Sequence, residues 1–124
     1  MRWLLPPIAW LRRKIISMRQ WMFDGIVPPY RTVVVEANLP AKLRARTLYI
    51  VQEDDFKEQA AMLCPCGRNH VLHMNLLPDE RPKWRVTQHP DGSASLHPSV
   101  WRKKDCRSHF WFRHGRVVWV RTKR

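Results

Sequence analysis

Residues 109–121 read HFWFRHGRVVWVR, and this stretch decides the fold class. The runs on both sides of His114-Gly115, HFWFR and RVVWVR, are rich in aromatic and β-branched residues, with Arg at their ends. A period of two places alternate side chains on opposite faces of a strand, so the aromatics turn inward and the charges meet water. His114-Gly115 supplies the tight turn that closes the two strands into a hairpin.

Working outward, the same signal recurs. YRTVVVE (30–36), TLYIVQ (47–52), HVLHMNL (70–76) and KWRVTQ (83–88) are rich in β-branched and aromatic residues and read as strands. HPDGSAS (89–95) reads as a hairpin turn with Asp91-Gly92 at its tip. EDDFKE (53–58) reads as the start of a loop or short helix. The N-terminal segment differs. In IAWLRRKIISMRQWM (8–22), Ile8, Leu11, Ile15, Met18 and Met22 draw one helical stripe, started by Pro6-Pro7 and stopped by Asp24-Gly25. The expected architecture is therefore mainly β with an N-terminal α-helix. An amphipathic arm covers 1–27, and a small antiparallel, zinc-stapled β domain covers 28–124. The stripe either packs on that domain or docks on a partner groove or lipid surface, helped by Trp3, Trp10 and Trp21.

Charge narrows the partners. Lys and Arg number 23 against 10 acids, a net +13 over 124 residues. Such a balance favours acidic partners: protein, nucleic acid or an anionic surface. Two basic groups stand out, Arg12, Arg13 and Lys14 in the arm and Arg102, Lys103 and Lys104 near the C-terminus. Basic residues interleaved with Trp101, Phe110, Trp111, Phe112 and Trp119 could hold single-stranded nucleic acid, or form an ordinary half-buried hairpin. The N-terminus lacks the apolar core and cleavage site of a signal peptide, and no apolar run approaches the about 20 residues of a membrane span. A cytoplasmic location is expected.

The three cysteines carry the sharpest signal. LCPCGRNH (63–70) places Cys64 and Cys66 one residue apart, and CRSH (106–109) adds Cys106 and His109. A disulfide between Cys64 and Cys66 would close a very small, strained ring and leave the third cysteine unpaired. A tetrahedral metal site uses them all: Cys64, Cys66, Cys106 and His109 form a Cys3His set for one zinc per chain, with His70 as a rival fourth ligand. The bland reading is three small buried residues that happen to be cysteine. Four protein ligands leave no open position for water, so such a site is structural and assigns no catalytic residue.

The series MLCPCG, HMNLLPDERPKWRV, HPDGSASLHPSVW and CRSHFWFRHGRVVW, over residues 62–120, resembles a bacterial family of small metal-binding proteins. Its members are commonly encoded beside ubiquitin-like conjugation genes: multi-ubiquitin-domain proteins, ThiF-type E1-like adenylyltransferases, E2-like proteins and JAB-type isopeptidases. The resemblance implies the same Cys3His set. The resemblance carries over no activity; from the gene context the expected function is a non-enzymatic, E3-like zinc adaptor whose partners are E1-like, E2-like or ubiquitin-like proteins. A nucleic-acid-binding zinc protein is the alternative.

Overall fold

A computed structural model describes residues 27–121. Eight strands form in the order β1 (Arg31–Glu36), β2 (Thr47–Glu53), β3 (Phe56–Leu63), β4 (Val71–Asn75), β5 (Arg85–Gln88), β6 (Ala94–Trp101), β7 (His109–Arg113) and β8 (Arg116–Trp119). They make two four-stranded sheets, β1-β2-β3-β4 and β5-β6-β7-β8. No helix forms among the described residues, and none there could cross a membrane. The helix expected over 8–22, with Arg12, Arg13 and Lys14, lies outside them.

Alternation builds the core. Leu48, Ala60, Met62, Leu72 and Met74 from the first sheet meet Ala94, Leu96, Val100, Phe110 and Phe112 from the second in one buried cluster. In β3, β4 and β7 the cluster takes alternate residues, as a half-buried sheet requires, while β1 contributes none. The last hairpin forms across the His114-Gly115 turn, Phe110 pairing with Trp119 and Phe112 with Val117, but of its aromatics only Phe110 and Phe112 are buried, and Trp119 is half exposed.

Three expectations need correction. First, the sheet holding β1 and β2 is not purely antiparallel, because these two strands run parallel. A parallel pair needs a crossover, supplied by residues 37–46, and the Arg44 N–H donates to the Tyr49 hydroxyl at 3.0 Å from that loop. Second, residues 53–58 are neither loop nor helix. Asp54 and Asp55 form a two-residue turn, both at positive φ, and Phe56 opens β3. FKEQAAML carries no β-branched residue, yet Ala60 and Ala61 are completely buried in it, so packing overrides propensity. Third, β6 runs through residues 94–101, beyond the turn read at 89–95. Its ladder is interrupted: Leu96 faces Phe112 and Val100 faces Phe110, so His97, Pro98 and Ser99 stand against Trp111 alone. Pro98 has no N–H to give a ladder, which suits a bulge.

Candidate active site and metal centre

That bulge positions a serine. Lifted out of the ladder, Ser99 places its Oγ 2.9 Å from Nε2 of His109, the first residue of β7. The serine is fixed from behind, since the Trp84 indole N–H donates to the Ser99 carbonyl at 3.3 Å. The histidine is fixed from the side by stacking on Trp101, centroids 4.9 Å apart and planes within 11°. His109 Nδ1 is buried and has no hydrogen-bond partner among the described residues. Ser99 also lines a cleft of about 620 Å³ between β4 and β6. A hydroxyl in hydrogen-bond reach of an imidazole, at a cleft wall, is the arrangement of an activated nucleophile. His109 Nε2 can accept the hydroxyl proton while Nδ1 carries its own.

A second serine–histidine contact differs. Ser95 Oγ lies 2.7 Å from His89 Nε2, but it also accepts the His114 backbone N–H at 2.9 Å. The His89 ring stacks on His114 at 3.9 Å. Ser95 thus ties the β5–β6 turn to the β7–β8 turn.

The three cysteines converge. Their sulfurs all lie within 4.8 Å of one another, with Cys64 and Cys106 at 3.6 Å. That separation is far longer than the about 2.05 Å of a disulfide. It suits sulfurs around one tetrahedral zinc, which stand about 3.8 Å apart when each is about 2.3 Å from the metal. Cys64 follows β3, Gly67 turns the chain back at φ +85°, and Cys106 comes from the β6–β7 loop. Ser108 Oγ donates to Cys106 Sγ at 3.2 Å and lies 3.4 Å from Cys64 Sγ. Burial pushes the Cys64 thiol up to about 11. At Cys106 burial also raises the pKa, but hydrogen bonds from Ser108, Cys66 and Cys64 outweigh it and bring the thiol down to about 7. Three sulfurs crowded in this way suit a dication, which would hold them all as thiolates.

Of the expected ligands, Cys64, Cys66 and Cys106 form this group, and His109 and His70 are not part of it. His109 turns Nε2 to Ser99 instead. His70 has a buried Nε2 without a partner among the described residues, and its carbonyl accepts the Cys64 N–H at 2.7 Å. Arg102, Lys103 and Lys104 line the Ser99 cleft. Arg102 is paired with Asp105 at 2.6 Å, and Lys103 Nζ sits 5.1 Å from the Trp101 ring centroid.

Nothing in the composition of HPSVW marks Ser99. Pro98 inside a strand pattern was the available signal, since it marks a bulge where the next side chain can leave the ladder.

A family model described as "Bacterial ubiquitination-like system serine protease (BubE)" matches residues 35–120. No curated protein and no solved structure matches the chain. The family match agrees with the link to bacterial ubiquitin-like systems. It overturns the non-enzymatic, E3-like adaptor and its nucleic-acid-binding alternative, because the family is named for a serine protease.

Proposed function

We propose that this chain, which belongs to the bacterial ubiquitination-like system serine protease (BubE) family, is a serine peptidase with Ser99 as nucleophile and His109 as general base. The reading is carried by the 2.9 Å contact between Ser99 Oγ and His109 Nε2 at the wall of a cleft. Ser99 Oγ attacks the scissile carbonyl carbon as its proton passes to His109 Nε2. The same proton then goes to the leaving amine as the C–N bond breaks. Water, deprotonated by His109, attacks the acyl-serine ester and releases the acid, returning the proton to Ser99. The substrate is a protein of the same system, a ubiquitin-like protein or its conjugate, with E1-like and E2-like proteins as further partners.

In this reading Cys64, Cys66 and Cys106 hold one structural zinc, the metal suited to thiolates at tetrahedral spacing. His70 is the fourth ligand, favoured by its buried, unpartnered Nε2 and its tie to Cys64. His109 cannot serve both tasks. An imidazole bound to metal through Nδ1 keeps its proton on Nε2 and cannot accept one from Ser99. Cysteines held in a metal site and not in a disulfide suit a reducing compartment, which favours the cytoplasm.

Cleavage of a ubiquitin-like protein of the system, followed by intact mass, tests the catalytic assignment. Ser99→Ala and His109→Ala are expected to lower kcat by about 10^4-fold or more, as loss of a nucleophile or its base does elsewhere. Ser95→Ala keeps the wild-type rate. Activity surviving in Ser99→Ala, or lost in a folded Ser95→Ala, contradicts it.

A further inference from the structure

The cleft beside Ser99 has an unusual wall: the open edge of a sheet. β4 is the last strand of its sheet and pairs only with β3 among the described residues. The direction of its backbone groups follows from two bonds on its inner side. The Leu76 N–H donates to the Glu58 carbonyl, and the His70 carbonyl accepts from Cys64, so even-numbered residues face β3. Neighbouring residues of a strand point their N–H and C=O to opposite sides. Val71, His73 and Asn75 therefore face outward. The Trp84 N–H takes the Asn75 carbonyl at 2.8 Å, which confirms the direction and caps that end. The N–H and C=O of Val71 and His73 have no such partner among the described residues, and both residues line the Ser99 cleft. Of its charged lining residues, Arg102, Lys103 and Lys104, every one is cationic.

We propose that the substrate is bound as an extended, acidic peptide segment that adds a strand to the free edge of β4. Its backbone pairs with Val71 and His73, its carboxylates face Lys103 and Lys104, and its scissile carbonyl is delivered to Ser99. An extended chain satisfies an open edge through main-chain hydrogen bonds, which give affinity without demanding particular side chains. Charge then supplies the selection. The inference rests on the catalytic reading for the identity of the occupant, but its geometry is independent of that chemistry.

The experiment uses the full-length Ser99→Ala protein, which binds without turnover, and fluorescence anisotropy of a fluorescein-labelled, eight-residue Asp/Glu-rich peptide. Two further versions carry backbone N-methyl groups on its odd or on its even residues. Strand addition predicts that one methylated set binds at least about 10-fold more weakly, while the other stays within about 2-fold, because only alternate N–H groups face β4. A Lys/Arg-rich peptide should bind at least about 10-fold more weakly, and the Lys103→Glu, Lys104→Glu double variant should reverse that order. Equal weakening by both methylated sets, failure of the acidic peptide to bind, or capture of a single-stranded oligonucleotide in its place overturns the inference. Alternation in binding, with cleavage by wild type undiminished in Ser99→Ala, overturns the catalytic reading alone. Loss of cleavage in Ser99→Ala without alternation overturns the strand mode alone.

Discussion

At the scale of single residues, the direction His109 takes separates the proposed catalytic role from a metal-ligand role. Spacing alone made it a ligand, because C-x-x-H is a familiar pair and Cys106 lies three positions earlier. Spacing is silent about which way an imidazole turns. His109 opens β7 pointing to the β6 bulge, and its Nε2 meets Ser99 while the sulfurs gather without it. The cysteines were legible because all three were needed for any site and the set had no other use for them. The proposed nucleophile, Ser99, was not, because a serine gives no composition signal until the bulge exposes it. Replacement of each histidine separates the two roles. Native mass spectrometry should find one zinc in His109→Ala and loss or weakening of zinc, by about 10-fold or more, in His70→Ala. Zinc lost from His109→Ala and kept in His70→Ala would return His109 to the metal.

At the scale of elements, turns locate what strands present. The β7–β8 hairpin was legible from alternation and its His-Gly turn, and Gly115 shows why the turn is fixed. Gly115 sits at φ +73°, its N–H donates to Ala94 and its carbonyl accepts from Tyr30. A Cβ there would stand 3.0 Å from both the Tyr30 carbonyl and the Pro29 Cβ. The glycine thus links the start of β1 to β6 and β7, and so one sheet to the other. Gly115→Ala combines left-handed strain with a backbone clash, at a cost of about 2–3 kcal/mol. Thermal denaturation should show Tm lower by about 10 °C or more, given the usual entropy of a domain this size. A Tm within about 2 °C of wild type would mean that the turn relaxes freely. The parallel β1–β2 pair was not legible, because strand runs in sequence carry no mark of direction. Neither was β3, whose Ala-Ala centre is chosen by close packing.

At the scale of the whole molecule, the two sheets must keep their relative position for Ser99 to share a cleft with the edge of β4. The core does most of this: Phe110 and Phe112 from one sheet lie completely buried with Leu48, Met62 and Met74 of the other at 1% exposure or less. The cysteine cluster adds a second tie at one end, from the β3 terminus to the loop just before His109. With zinc held there as proposed, removing it should lower both stability and activity. Cys106→Ser, or chelation of the zinc-loaded protein, is expected to cost about 2 kcal/mol or more and about 10 °C in Tm. Peptidase activity should fall with it, since His109 lies three residues from Cys106. Unchanged Tm after complete removal of zinc would make the cluster incidental to the fold.

The most direct test of the central claim is covalent labelling of the wild-type protein with a fluorophosphonate, mapped by peptide mass spectrometry. The probe phosphonylates a serine only when that hydroxyl is activated by a base, so it needs no knowledge of the substrate. The account predicts one adduct per chain, on Ser99, absent in His109→Ala and unaffected by Ser95→Ala. An adduct on Ser95, or none on a folded, zinc-loaded protein, would contradict it.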